Sequence, residues 1–587
     1  MLNANRNILL DILKGFAILG VILYHLGLLP LGYLGVEIFF VIAGYLTTKS
    51  VLKSLSNDTF SYSSFIVGKL IRLCPLVLLV TAFSMLLGYF CLLPDVFKNV
   101  GETSVGSSLF VNNFVQCITS SDYWDTGNDY KPLMHTWYIG VLFQFYILYP
   151  LICMLIYKTT SRKREITLFF ALVILGMVSL FSYLSPFITD AYKFYLLPSR
   201  FFEFIIGALV AFSEKYKNVK SENIFKILIS VFLLAILLII NIDFTSNQSK
   251  VLVTSFLTMY IIIISSKTSF VLRPKVAVLI KPFVYCGVAS YSLYLWHQPI
   301  MAFYRSIITP YFHTLDYIII LVICGLVGFI SYELIEKGIS SFIKSKKDKG
   351  NIVLINSLFL AFLLVGLGFY VYKRNGVVRD IPELNVKSSD PKTWEVLAYN
   401  DKNSKLDKDF EKNKKIKVLV LGDSYARDWI NILKESGVTD SMNISYHRGL
   451  DVETRKRASQ ADYIFIACKT KIEEYMPLLP LLEGKKYYRV GTKNFGLNNG
   501  FIYAKSLYFR YKQQYAEIPS AYLEENYNQK LIFGSHYIDM ISPVLEGENH
   551  IRIFTSTNKY FSHDCLHLTQ AGAIEYAKLL PIKSYFQ

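Results

Sequence analysis

Cysteine is sparse in this chain, with eight residues in 587, at positions 74, 91, 117, 153, 286, 324, 468 and 565. Their scatter excludes a zinc-type spacing and a dense disulfide framework. Pairings of Cys91 with Cys117, or of Cys468 with Cys565, stay open in an oxidising compartment. Charge is also thin: Asp, Glu, Lys and Arg make up 18% of the chain, against about 25% in ordinary soluble domains. No internal repeat and no heptad pattern is present, which excludes a solenoid and a coiled coil. No small-residue cleavage site follows the first apolar run, and that run contains Asp11 and Lys14, so it is expected to stay as a helix. No known sugar-reading motif occurs.

What the chain has in excess is apolar surface. Hydrophobic residues make up 53% and aromatics 15%, too much for an ordinary soluble enzyme. The excess lies in the first 375 residues. Eleven candidate spans can be drawn there, at 8–29, 32–52, 73–93, 137–157, 166–184, 201–212, 224–241, 251–266, 283–303, 315–335 and 351–373. Most approach the ~20 apolar residues that cross ~30 Å of hydrocarbon; 201–212 is short. Residues 1–379 carry 32 Lys and Arg against 18 Asp and Glu, whereas residues 380–587 carry 29 against 26. The basic excess falls in alternate loops, around 49–72, 158–164, 215–226, 267–281 and 337–349, while the 94–136 loop holds Asp95, Glu102, Asp122, Asp125 and Asp129. Membrane topology accounts for that pattern better than nucleic acid does. The positive-inside rule places the N-terminus in the cytoplasm, and an odd number of spans carries residues 380–587 to the other side. Four segments are expected: a membrane domain over 1–340, a linking transmembrane helix over 341–379, a polar linker over 380–416, and an extracytoplasmic α/β domain over 417–587.

Ionisable residues inside spans are costly and point to function. The first helix carries Asp11, Lys14 and His25. Asp11 and Lys14 are three apart and can pair. Lys14 and His25 are eleven apart, which returns them to within ~20° of one face, ~16 Å apart along the axis. This stripe reads either as polar packing between helices or as a polar track ending at a base. His297, beside Trp296 and Pro299, reads either as a polar helix cap or as a site residue.

The end of the chain has a different chemistry. Lys417–Leu421 reads as a buried strand, and Gly422-Asp423-Ser424 turns from it into a helix. Ser424 is thereby expected at a helix N-terminus, where backbone N–H groups favour an oxyanion. Asn443–His447, Tyr463–Ala467 and Lys486–Val490 read as further strands, with helices over Arg427–Glu435 and Asp451–Ala461, so a small α/β sheet is expected. Near the end, Asp564-Cys-Leu-His567 is expected to open a helix, the Asp564 carboxylate orienting the His567 imidazole.

Two resemblances follow from these residues. The run Asp11-Ile-Leu-Lys14 to His25, followed by Gly35-Val-Glu37-Ile-Phe-Phe, resembles the opening of the acyltransferase family 3 membrane domain. So do Lys69-Leu-Ile-Arg72, Pro132-Leu-Met-His135-Thr-Trp137, Arg200-Phe-Phe-Glu203, Trp296-His297-Gln-Pro299 and Ser331-Tyr-Glu333-Leu-Ile-Glu336. The resemblance covers roughly residues 6–340. It implies a multi-pass enzyme of the bacterial inner membrane, with about ten core spans plus the linking one, that takes an acetyl group from acetyl-CoA and passes it to a glycan hydroxyl on the far side. His25 would be its catalytic histidine, and Asp11, Lys14, Glu37, Lys69, Arg72, His135, Arg200 and Glu203 its donor and transfer path. Leu142 and Phe143 stand where the family has an acidic pair, and Glu203 is the nearest substitute.

Residues 417–587 resemble the SGNH serine esterases and acetyltransferases, whose fold is flavodoxin-like. That implies Ser424 as nucleophile, His567 as base, Asp564 as its orienter, and Gly449 and Asn494 as oxyanion donors. Together the two imply an O-acetyltransferase of O-antigen, lipopolysaccharide or another surface polysaccharide, with membrane lipids, acetyl-CoA and glycan as partners and neither metal nor nucleic acid. The alternatives are peptidoglycan as acceptor, a glycan esterase, or a non-catalytic glycan-binding transporter.

Overall fold

The computed structural model describes residues 7–119, 126–160, 164–216, 246–265, 274–345, 349–389, 399–412, 415–468, 484–497 and 514–587, with 477, 480 and 482. The expected span 224–241 falls outside these residues, as do parts of the loops at 120–125, 161–163, 217–223 and 266–273 and of the 380–416 linker. The chain forms two compact units, one of Met1–Phe90, Asp95–Arg305 and Tyr311–Gly376, the other of Cys91–Pro94, Ser306–Pro310 and Val377–Gln587.

The first unit is helical. Nine of its helical stretches, among the described residues, are long and apolar enough to cross a membrane. Helix α1 (Ile8–His25) starts on Asn7, whose side chain accepts from the N–H groups of Leu9 and Leu10. It is followed by α2 (Gly35–Ser56), α3 (Tyr62–Cys91), α4 (Pro94–Ser108) and α5 (Asn112–Thr119). Next come α6 (Trp137–Thr159), α7 (Arg164–Leu184), the short α8 (Asp190–Tyr195) and α9 (Leu197–Tyr216). The short apolar run 201–212 is thus the middle of a 20-residue helix. Helix α10 (Asn247–Ser265) precedes α11 (Pro274–Val288) and α12 (Ser290–Ile307).

The expected span 283–303 is interrupted at Ala289, between α11 and α12. Neither half is among the nine, because α11 is 15 residues long and α12 carries Ser290, Ser292, His297, Gln298 and Arg305. Helix α13 (Thr314–Ser331) passes through a π-helical turn, Tyr332–Glu336, into α14 (Lys337–Ser345), and α15 (Lys349–Lys373) closes the unit. Helices α1 and α11 touch backbone to backbone: a Cβ on Gly287 would lie 1.7 Å from the Asp11 carbonyl oxygen. Small residues at such crossings are how helices pack in lipid.

The second unit is α/β. Strands β1 (Ile416–Gly422), β2 (Met442–His447), β3 (Tyr463–Ala467), β4 (Lys486–Val490) and the later β6 (Tyr537–Ile538) form a sheet of order β2-β1-β3-β4-β6. Every neighbouring pair is parallel, the flavodoxin-like order. Helices α16 (Ser424–Glu435), α17 (Val452–Gln460) and α18 (Ser520–Phe533) connect strands, and α19 (Gln570–Leu579) follows the last. A three-stranded antiparallel ribbon, β5 (Tyr515–Glu517), β8 (His550–Arg552) and β7 (Leu545–Glu546), lies apart from the main sheet in hydrogen bonding. Val418–Leu421 and Ile464–Ile466 are fully buried, so the central strands are covered on both faces.

All eight cysteines are free thiols, so neither open pairing forms.

Candidate functional site

In the α/β unit the site stands at the carboxyl end of β1, where ligands bind in sheets of this kind. Gly422 makes the turn possible. Its φ is +133° and a Cβ there would meet the Ala467 carbonyl oxygen at 1.8 Å, so only glycine fits. Asp423 then caps α16, its carboxylate accepting from the Tyr425 N–H at 2.9 Å. Ser424 is the first residue of that helix, as expected.

The partner loop arrives from 143 residues away. His567 Nε2 lies 2.7 Å from Ser424 Oγ, and His567 Nδ1 lies 2.5 Å from Asp564 Oδ2. The Asp564-Cys-Leu-His567 segment is a turn, and the helix begins only at Gln570, capped by Thr569. In place of helical spacing, Asp564 Oδ1 accepts from the N–H groups of Leu566 and His567 at 2.9 and 2.7 Å, an Asx-type turn. Cys565 sits at φ +68° inside it, a conformation that non-glycine residues adopt at a cost. Burial alone would raise the Asp564 carboxyl; the charge of His563 and the hydrogen bond from His567 outweigh it and hold the group well below the usual carboxylate range. Burial disfavours the His567 imidazolium, but the Asp564 hydrogen bond and charge overcome that and lift its pKa above the ordinary value.

A buried ion pair that the sequence reading missed ties this site together. Asp428 and Lys493 are 1% and 2% exposed, with Nζ 2.7 Å from Asp428 Oδ2. Asp428 stands four residues after Ser424, so the same helix face carries both. Its Oδ2 also accepts the Leu568 N–H at 3.1 Å, and its Oδ1 accepts from Asn400. Lys493 stacks over the Tyr425 ring, and its carbonyl accepts the Tyr425 hydroxyl at 2.8 Å. The segment carrying Asn494 is further joined to the histidine loop through the Phe495 N–H and Cys565 carbonyl, at 2.9 Å. The Asn494 amide oxygen accepts from Gly496, and its side chain bonds the Tyr522 hydroxyl. Gly449 lies in the loop after β2, its carbonyl accepting from Thr454.

In the helical unit, Lys14 pairs with buried Asp11 at 3.4 Å and faces a cavity of about 360 Å³. Lys69, Arg72, Tyr146 and Glu336 line the same cavity, with Lys69 Nζ 4.0 Å from the Tyr146 ring centre. Glu336, absent from the expected path, lies on the π-turn and accepts from Ser292; such turns recur at functional sites. Leu142 lines the cavity, while Phe143 stacks on Phe110. Glu37 and Glu203, carboxylates of the expected path, do not line it. Arg200 Nη1 reaches both oxygens of Glu37 at 3.1 Å and Glu203 at 3.0 Å, all three residues being buried.

His25 ends α1 beside two other histidines. Its ring centre is 5.2 Å from that of His297, which is 5.3 Å from that of His135. His297 Nδ1 lies 2.5 Å from the Tyr294 carbonyl and His135 Nε2 lies 3.1 Å from the Leu295 carbonyl. Only an N–H can bond a carbonyl oxygen, so in the neutral ring His297 Nε2 is a bare acceptor. Tyr294 lines the Lys14 cavity and its ring packs 5.4 Å from both His135 and His297. Cavity, tyrosine and histidines are therefore contiguous.

The helical unit defines a class. The acyltransferase domain family matches residues 7–333, and the chain belongs to that family, acyltransferase family 3. Among curated proteins it is similar to "O-acetyltransferase OatA" of Staphylococcus aureus (strain NCTC 8325 / PS 47), 28% identical over 58% of this chain and 59% of the relative. It is also similar to "Putative peptidoglycan O-acetyltransferase YrhL" of Bacillus subtilis (strain 168), 26% identical over 56% of this chain and 54% of the relative. The alignments thus span less than two thirds of these relatives' length. No solved structure matches the chain.

Proposed function

We propose that this protein is a membrane O-acetyltransferase that moves acetyl from cytoplasmic acetyl-CoA to hydroxyls of an extracytoplasmic envelope glycan. The observation that carries the reading is the Ser424–His567–Asp564 chain, at 2.7 and 2.5 Å, in a protein whose other half is an acyltransferase domain. The cavity at Lys14, Lys69 and Arg72 suits an acyl-thioester arm, its cations answering phosphate charge. The contiguity of that cavity with His25 supports His25 as the base that takes the proton of the group accepting the acetyl there.

At the second site His567 Nε2 takes the Ser424 Oγ proton as Oγ bonds the acetyl carbon, and returns a proton to the group that leaves. A glycan hydroxyl then gives its proton to His567 and attacks the acyl-serine, and Ser424 recovers its hydrogen as the ester is released. Asp564 holds the imidazole with Nδ1 protonated throughout. The likeness to the putative peptidoglycan O-acetyltransferase of Bacillus subtilis favours peptidoglycan as acceptor over O-antigen or lipopolysaccharide.

The test incubates full-length protein with acetyl-labelled acetyl-CoA and purified peptidoglycan fragments or surface polysaccharide. Label should appear as alkali-labile ester on the glycan and be lost in Ser424→Ala. Higher glycan acetylation in Ser424→Ala would make the second unit a deacetylase; unchanged acetylation would leave it a binding module.

A further inference from the structure

A second cavity in the helical unit, of about 520 Å³, shares no lining residue with the Lys14 cavity among the described residues. Its volume is within the range of about 300–1,000 Å³ common to small-molecule sites. Glu37 and Arg200 line it as a buried polar pair. Tyr33, Tyr183 and Phe194 contribute aromatic rings; the last two carry the Arg200 guanidinium against their faces, at 5.6 and 5.0 Å. Asn247 and Gln248, at the start of α10, add side-chain amides. The bonds these amides make are long, Tyr33 hydroxyl to Asn247 at 3.4 Å and Gln248 to the Tyr183 carbonyl at 3.4 Å, so a ligand can replace them at little cost.

The chemistry selects among ligand classes. A lipid tail gains nothing from buried carboxylate and guanidinium groups, whose desolvation must be answered by hydrogen bonds. Among the described lining residues a phosphate finds no uncompensated cation: Arg200 is shared between Glu37 and Glu203, and Lys193 lies 3.6 Å from Asp190. A neutral saccharide satisfies both halves of the lining. Its C–H faces pack on aromatic rings, and its hydroxyl edges pair with carboxylate, guanidinium and amide groups.

Placement agrees with that choice. Tyr33 packs edge-on against Tyr24 at 5.6 Å, and Tyr24 against His25 at 5.1 Å. One ring therefore separates the cavity wall from the histidine cluster.

We propose that this cavity binds a neutral sugar unit of the acceptor glycan, so that the membrane unit itself, and not only the serine domain, holds acceptor. The identity of that sugar as acceptor rests on the transferase reading above; its binding does not.

The test photolabels full-length protein in nanodiscs with a diazirine analogue of an N-acetylhexosamine disaccharide and maps the label by peptide mass spectrometry. Label is expected on peptides spanning 183–194 or 246–251, suppressed by excess unlabelled disaccharide and unaffected by inorganic phosphate. Ala191→Trp, which fills the cavity from its wall, should cut that label at least tenfold. If this variant fails to fold by thermal melt, the double variant Asn247→Leu, Gln248→Leu on the α10 end replaces it. Label confined to 377–587, label unchanged in the folded variant, or suppression by phosphate alone overturns the proposal. Acetyl-CoA turnover is measured separately on unlabelled protein. Its absence would sink the transferase reading while leaving the labelling result legible.

Discussion

The Leu568 backbone N–H donates to the Asp428 carboxylate at 3.1 Å, and that bond holds the histidine loop against the helix that begins with Ser424. Asp428 also answers the charge of buried Lys493. Removing one partner of a buried pair strands the other, at about 3–5 kcal/mol. Asp428→Ala and Lys493→Met should each lower the unfolding stability of the α/β unit by that order. The double variant Asp428→Leu, Lys493→Met should recover much of the loss, because no charge is left unpaired. It should still turn over slowly, because Leu568 has lost its anchor. Denaturant melts of the full-length protein, read beside ester turnover, check both halves; full activity in the melt-rescued double variant would show that the anchor is unnecessary.

The raised pKa of His567 gives a pH signature. The base acts only when neutral, so the acid limb of the rate profile should fall above the ordinary histidine value of about 6.5. Asp564 is the cause of the rise. Asp564→Asn removes the charge, so the limb should move to lower pH while the maximum falls by roughly 10³–10⁴-fold, the size seen when such a histidine loses its orienting carboxylate. The measurement is hydrolysis of a small activated acetyl ester across pH 5–9 by the two full-length forms. A limb that stays in place in Asp564→Asn would assign it to another group.

Much of this was legible in the sequence because it rests on local patterns. Strand β1, the Gly-Asp-Ser turn and α16 follow from an apolar run, a glycine and a cap within ten residues. The Asp564–His567 spacing was legible too, although the local structure is a turn stabilised by backbone N–H groups, not a helix. Lys493 was hidden because its role comes from a contact 65 residues from Asp428, and no periodicity reports such a contact. Asp428 left a trace, being four residues from Ser424, but an aspartate on a helix reads first as a solvated one. Glu336 was visible in the Ser331–Glu336 motif, but its place at the cavity was not, because α13 turns π-helical there and the 3.6-residue phase that assigns faces breaks. The break at Ala289 escaped because apolar content runs through it.

The alternation of basic loops predicts that residues 380–587 lie outside the cytoplasmic membrane. Fusions after Asn375 and after Gln587 should be active with an extracytoplasmic reporter and silent with a cytoplasmic one. Cytoplasmic signals at both points would remove the reason for a two-compartment transfer.

The histidine cluster separates base from bystander. His297 presents a bare Nε2 because its Nδ1–H is spent on the Tyr294 carbonyl. Its ring centre is 5.2 Å from that of His25, so it can accept an N–H from His25 and leave the other His25 nitrogen free to take a proton. His25→Ala should abolish acetyl transfer with protein level in the membrane intact. His297→Leu removes the acceptor and should lower kcat on the order of 10²-fold, within the usual contribution of general base catalysis, with the KM for acetyl-CoA little changed. His297→Gln restores an acceptor oxygen and should recover part of that loss. Lys14→Ala should act on the donor side and raise the KM for acetyl-CoA, with Lys14→Arg retaining most function, since charge is what the cavity requires there. If His297→Leu and His297→Gln fall equally, the ring is needed for packing and not for the proton; if His25→Ala retains near-normal transfer, the α1 stripe is structural and the base lies elsewhere.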